Sequence, residues 1–299
     1  MNKIKDFLIE ANKRKVPFSS LMIEREVKRT QTTAEAVLKA MNNTYQVMRN
    51  VIDTGKFYEI PYISDITGDI AGQFDTYATS NKSISGKFNT EVIRRALCAS
   101  KSNSMMHVIV AAPTAGSSGI LPAVLTTLED LHNFDRERII RALFTAGLIS
   151  MVISDQVTLA GAAGGCMAEC GTASAMVAGA TVELFDGTPE QVLDAAAIAL
   201  KQHLGLVCDP IAGLVECPCI KRNALSSIVA ISSAEMVLAG IKSVVPFDEV
   251  LLAMKDIANK MDSSLRETSK GGLAVTPTGK SWRKRQVQYE LSQTKSADD

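Results

Sequence analysis

Apolar residues in this chain recur at helical spacing, and almost nowhere do they alternate as a half-buried strand requires. From Lys3 to Arg14, Ile4, Phe7, Leu8 and Ala11 share one face, and from Thr33 to Asp53 the same holds for Val37, Leu38, Met41, Tyr45, Met48 and Ile52. Asp135 to Met151 opens on acidic residues and repeats Ile139, Leu143, Ala146 and Ile149. Thr188-Pro189-Glu190-Gln191 combines an N-cap hydroxyl, an N1 proline and an N3 acceptor, and so predicts another helix start. Phe247 to Met261 turns Val250, Leu251, Met254 and Ile257 inward. No strand run with Asn-Gly or Asp-Gly turns and no βαβ alternation interrupts this pattern. The expectation is an all-α fold, a compact multi-helix domain with glycine-rich interhelical turns over residues 1–280. Gly55 to Gly86 reads as a loop or lid, and the charged residues 281–299 as a partly ordered tail.

Charge and hydropathy remove several classes of function. Lys+Arg and Asp+Glu cancel at 32 each, and the one dense basic run is Trp282-Arg283-Lys284-Arg285, so a nucleic-acid partner is not expected. The longest uncharged stretch, Ser102 to Leu128, is broken by Pro113, Gly116, Gly119 and Pro122, which suits a turn between buried segments better than a membrane span. The next two candidates, Ala142 to Ser154 and Cys170 to Val182, are 13 residues each and too short to span, so no membrane association is expected. The opening residues are charged and lack an apolar signal core, which points to the reducing cytoplasm.

The cysteines are unevenly placed. Five of the six, Cys166, Cys170, Cys208, Cys217 and Cys219, fall within 54 consecutive residues, too few for a disulfide scaffold and at spacings that match neither a paired CxxC zinc site nor a ferredoxin run. Cys166 follows Gly161-Ala162-Ala163-Gly164-Gly165, Cys208 precedes Asp209-Pro210 and Cys219 follows Pro218. Each is at a turn sequence, from which separate loops can present sulfur to one soft metal centre. Free cysteines are also small buried hydrophobes, and that reading stands beside the first; for Cys98, in the apolar segment Val92 to Ala99, packing is expected. The turn Thr114-Ala115-Gly116-Ser117-Ser118-Gly119 leads into a helix and suits either a carboxylate at its backbone N–H groups or a tight interhelical connection. Arg222 reads as a bidentate carboxylate clamp or as a surface arginine. His132 reads as solvated, and His107 and His203 as core histidines; no metal-ligand spacing joins the three. No pattern of a pyridoxal-phosphate lyase is present, so that cofactor is not expected.

Taken together, Thr114 to Gly119, Gly161 to Cys166, Leu204 to Pro210, Gly213 to Glu216 with Pro218-Cys219, Arg222-Asn223, Arg266-Glu267-Thr268, Gly271 to Ala274 and Thr276 to Gly279 resemble the α chain of iron–sulfur-dependent L-serine dehydratase. The resemblance extends from near the N-terminus to about residue 280. It implies a [4Fe–4S] cluster held by Cys166, Cys208 and Cys219, with one iron left open as a Lewis acid for the substrate carboxylate and β-hydroxyl. It also implies that Thr114, Ala115, Gly116, Ser117 and Ser118 hold the substrate, with Arg222 as a carboxylate or supporting partner. The reaction it implies converts L-serine to pyruvate and ammonia.

A second family region, with a Ser-Ser-His-Thr-type motif, is absent here and belongs to a separate β chain in two-chain members. A β partner that supplies the general base, and hence a hetero-oligomer, is therefore the expectation; the catalytic base is not assigned to this chain. Gln73, His107 and Met167 depart from the family pattern, which bears on which β-substituted amino acid is taken. Cys170 and Cys217 are additional to it, and the tail carries no cysteine that could act as a fourth thiolate. Cysteine desulfidation on the same cluster and a non-catalytic iron–sulfur redox sensor are the alternatives.

Overall fold

The structure is a computed structural model that describes residues 4–54, 66–80 and 82–297. Among the described residues there are thirteen α-helices and no strand, so the chain is all-α. The first three are α1 (Ile4–Arg14), α2 (Phe18–Thr30) and α3 (Ala34–Thr54). They are followed by α4 (Ile70–Thr79), α5 (Gly86–Ser104), α6 (Ile120–His132) and α7 (Arg136–Gln156). A four-residue α8 (Gly161–Gly164) precedes α9 (Thr172–Leu184) and α10 (Pro189–Lys201), and α11 (Cys219–Leu238), α12 (Phe247–Lys260) and α13 (Pro277–Ala297) complete the order.

The centre of the molecule is α9, which is buried along almost its whole length and is packed by α6, α7, α10 and α11. Its composition explains the position. In TASAMVAGATVEL small side chains occupy every face, so neighbouring helices approach closely on all sides. At Gly179 a Cβ would come within 2.3 Å of Ile149 Cδ1, so any larger residue there would have to displace that side chain of α7. The start of α10 follows the expected chemistry: Thr188 and Gln191 form a reciprocal capping box around Pro189. The helix α7 is long and apolar enough to cross a bilayer by length and composition, and most of that apolar window is buried inside the protein.

Two expectations are corrected. Part of the segment expected to be a loop or lid forms α4, started by Asp69, whose Oδ1 accepts from Gly72 N at 2.9 Å. The rest of that expectation, at residues 55–65 and 81, lies outside the described residues. His107, expected in the core, is exposed because the chain leaves α5 at Met105 and turns outward through Met106, whose φ is 60°. The composition change after Gly279 coincides with no break in structure, since α13 runs through it from Pro277 to Ala297.

Candidate functional site

Four loops and helix ends meet at the N-terminal end of α9. The first is the Thr114–Gly119 turn, a short 3-10 turn in which Thr114 and Ser117 cap one another. The second reverses at Gly165, whose φ of 69° is open to glycine and where a Cβ would meet Leu206 O at 2.7 Å. That reversal delivers Cys166 into a π-helical turn, Met167–Gly171, which leads into α9. The third is the extended segment at Cys208, pinned on both backbone groups: its N–H donates to Leu265 O at 2.9 Å and its carbonyl accepts from Glu267 N at 2.7 Å. The fourth is the first turn of α11, which begins at Cys219 itself.

The first turn of α11 aligns the other three. Residues three and four apart share a helix face, so Cys219, Arg222 and Asn223 point the same way. Arg222 donates to Val207 O at 2.8 Å and to Asp209 Oδ1 at 3.0 Å, holding the residues on either side of Cys208. Asp209 passes the restraint on, its Oδ2 accepting from Leu273 N at 2.8 Å. Asn223 accepts from Gly119 N at 2.9 Å and donates to Gly116 O at 2.7 Å and Cys219 O at 2.9 Å. One amide thus joins the hydroxyl-rich turn to the cysteine that starts the helix. From the other side, Thr67 Oγ1 donates to Glu216 Oε2 at 2.8 Å, which ties the residues before α4 to the loop before Cys219.

Glu169 is the site residue that sequence reasoning passed over. Its Oε1 accepts from Thr114 Oγ1 at 2.7 Å, and burial pushes its carboxyl up to about 7. The signal was present in the sequence: Glu169 is the sole charged residue between Asp155 and Glu183. Its carboxylate and the thiols of Cys166 and Cys208 lie within 4.8 Å of one another. Cys170 Sγ is 3.9 Å from Cys166 Sγ. Thiol protons donated by Cys170 and Cys208 hold Cys166 well below the usual thiol range, with Arg222 adding to the effect. Donating a hydrogen bond to Cys166 pushes Cys170 and Cys208 up, and burial together with the charge on Cys166 pushes Cys219 up.

Acidic groups crowded in this way, with Arg222 as a nearby cation, suit a soft cation that would relieve their mutual repulsion. The backbone leaves room for it. At Gly161 a Cβ would stand 2.7 Å from Glu169 Oε2 and 3.4 Å from Cys208 Sγ, in the space between two of the donors.

The remaining candidates divide as follows. Ser117 and Ser118 are buried under the turn, and Ser118 Oγ has no hydrogen-bond partner among the described residues. Met167 is buried, with its sulfur accepting from Gly205 N at 3.4 Å. Gln73 lies exposed on α4. His203 is a core histidine, between Ala199 O at 2.8 Å and Ser226 Oγ at 2.9 Å, and His132 is exposed. Cys98 is fully buried in a small cluster with Val51, Ile52, Ala71 and Ala99, and Cys217 is half-buried with its carbonyl accepting from Ile211 N.

Fold and site together define an all-α protein with buried thiols and one carboxyl gathered beside a hydroxyl-rich turn at a helix end. A family profile described as serine dehydratase alpha chain matches residues 13–274, and the chain belongs to that family. It is 44% identical to the probable L-serine dehydratase, alpha chain, of Bacillus subtilis, over 93% of this chain and 93% of that protein. With the L-serine dehydratase, alpha chain, of Peptoniphilus asaccharolyticus it shares 43% identity over 95% of this chain and 97% of the relative. The L-serine dehydratase of Streptomyces coelicolor is 33% identical over 86% of this chain, which spans 57% of that longer protein.

Proposed function

We propose that this chain is the α subunit of a cytoplasmic, iron–sulfur-dependent L-serine dehydratase, which converts L-serine to pyruvate and ammonia together with a separate β chain. The observation that carries the reading is the meeting of Cys166, Glu169 and Cys208 beside Thr114. The names and lengths of the relatives support the partner: those matched nearly end to end are called alpha chains, while the Streptomyces coelicolor protein extends well beyond the matched region. Cys166, Cys208 and Cys219 would hold a [4Fe–4S] cluster, whose open iron supplies Lewis-acid chemistry toward the substrate carboxylate and β-hydroxyl.

The chain's own groups bind and orient the substrate. In the Thr114–Gly119 turn, the N–H groups of Ser117 and Ser118 are used within the turn and that of Gly119 by Asn223, which leaves those of Ala115 and Gly116 for a substrate carboxylate. Asn223 keeps the turn in register with Cys219. Arg222 is committed to Val207 and Asp209, so its role is to hold the Cys208 loop rather than to clamp the substrate. Near neutral pH Glu169 exchanges a proton readily, and with Oε1 engaged by Thr114 its Oε2 is the atom that carries it. Once a base supplied by the β chain has taken the α-proton, the proton of Glu169 serves the departure of the β-hydroxyl as water, and the resulting enamine tautomerises and hydrolyses in solution.

The test is anaerobic reconstitution of the chain with iron and sulfide, followed by pyruvate assays on L-serine and L-cysteine with and without the β chain. Pyruvate from serine by the assembled complex is the expected result. Turnover of cysteine alone would make the enzyme a desulfidase, and turnover of neither would overturn the enzymatic reading.

A further inference from the structure

The tightest group of donors at the site is not the trio expected to hold a cluster. It is Cys166, Glu169 and Cys208, whose ligand atoms all lie within 4.8 Å of one another, and it includes a carboxylate in place of the third thiol. Bonds of about 2.0–2.3 Å in a tetrahedral zinc site set neighbouring donors roughly 3.5–3.8 Å apart. Side-chain rotations that close the gaps by about an ångström would therefore bring all three onto one ion, with the fourth position left open to water. Two of the donors come from one turn, Cys166 and Glu169 being three residues apart across the π-helical stretch, and the third from the segment pinned to Leu265 and Glu267. A third thiol, Cys170, stands 3.9 Å from Cys166, where it can share the ion as the turn shifts. Thiolates together with a carboxylate favour a borderline-soft divalent ion over magnesium or calcium, and among such ions zinc binds more tightly than ferrous iron or cobalt.

We propose that the cluster-free chain binds a single zinc-type divalent ion through Cys166, Glu169 and Cys208, and that this ion and the [4Fe–4S] cluster exclude one another. The exclusion rests on the cluster reading above, because both occupants claim Cys166 and Cys208; the ion site itself does not. Binding replaces the thiol protons with the metal, releases them to solvent, and involves no change of oxidation state.

The two donor sets differ at Glu169 and Cys219, which makes them separable. Metal-free, reduced chain is titrated anaerobically with Co2+, read by thiolate-to-cobalt charge-transfer absorption, and then with competing Zn2+. Wild type is expected to bind one Co2+ that Zn2+ displaces. Glu169→Gln should weaken binding at least about tenfold, as loss of a direct ligand must exceed the 10–100-fold range of outer-shell partners only at its lower end. Cys219→Ala and Cys219→Ser should bind Co2+ like wild type while failing to gain the visible absorption of a cluster on reconstitution. Circular dichroism confirms that each variant is folded, and the pair at Cys219 keeps the comparison available if one is not. The opposite pattern, with cobalt lost at Cys219 and retained in Glu169→Gln, overturns the proposed ligand set, as does wild type that binds no Co2+. Zinc-loaded wild type should assemble no cluster until the zinc is chelated; assembly at the rate of metal-free chain overturns the exclusion. Wild type that binds cobalt yet never takes up iron and sulfide would refute the cluster reading and leave the ion site standing.

Discussion

Thr114 donates a hydrogen bond to Glu169 Oε1 over 2.7 Å, a bond that joins two segments 55 residues apart and sets one oxygen of a half-buried carboxyl against the hydroxyl-rich turn. Because burial holds that carboxyl at about 7, it carries a proton on a substantial fraction of molecules at neutral pH. Glu169→Gln keeps the shape and removes the titration. It is expected to lower kcat by about 10^2-fold or more, in the range of a lost acid–base group, while KM for serine changes little. The check is a steady-state pH profile of the reconstituted complex, from which the limb near pH 7 should vanish in the variant.

Asn223 satisfies a donor and two acceptors at once, on Gly119, Gly116 and Cys219. Asn223→Leu leaves the Gly119 N–H and the Gly116 carbonyl without this partner, at about 1–3 kcal/mol for each that water cannot reach. Thermal unfolding of the metal-free chain should show a lower midpoint. Asn223→Asp retains the acceptor for Gly119 but loses the donor to Gly116 and Cys219, so its midpoint should fall between those of wild type and Asn223→Leu.

Arg222 spans Val207 O and Asp209 Oδ1 with its two terminal nitrogens. Lysine cannot reproduce that fork. Arg222→Lys is expected to hold iron and sulfide more weakly, since the Cys208 segment loses its brace, and iron analysis during anaerobic dialysis against a chelator should show faster loss than in wild type. Equal retention would separate Arg222 from the site.

Gly161→Ala places a methyl group 2.7 Å from Glu169 Oε2 and 3.4 Å from Cys208 Sγ. The variant should fold, because the atoms its methyl group meets belong to two site side chains and not to backbone, yet take up less iron and less cobalt than wild type. Metal analysis after reconstitution is the measurement.

Far from these residues, Glu183 accepts from Thr145 Oγ1 at 2.7 Å and from Ser19 N at 3.4 Å, joining α9 to α7 and to the start of α2. Burial raises its pKa in the fold, so the folded state holds its proton more tightly than the unfolded chain does. Stability from this group is therefore fully present below the ordinary carboxylate pKa and declines as pH rises through that range toward the raised value. Urea midpoints of Glu183→Gln, measured across mildly acidic to neutral pH, should lack the decline that wild type shows.

The helices α1, α3, α7, α10 and α12 were legible in the sequence because their signals are local. Thr188, Pro189 and Gln191 announce α10, and the apolar stripe Val250, Leu251, Met254 marks the buried face of α12. The helix α4 was not, because it buries only Ala71 and shows little apolar periodicity around Gly72, Gln73 and Thr76. His107 misled for the converse reason: its neighbours Met106 and Val108 are apolar yet exposed, since a left-handed residue turns the chain outward there.

The sequence by itself determined the all-α class, the turns that carry cysteine and the family to which the chain belongs, because periodicity, caps and contiguous motifs are properties of neighbours along the chain. Which groups meet was decided by the tertiary structure alone. Glu169 reaches Thr114, Cys166 meets Cys208, and Asn223 joins a turn to a helix start, across separations of 42 to 107 residues that no local pattern encodes. The physical reason is that burial and proximity set both the proton affinity of a carboxyl and the donors available to a metal, and both arise only when distant segments pack around α9.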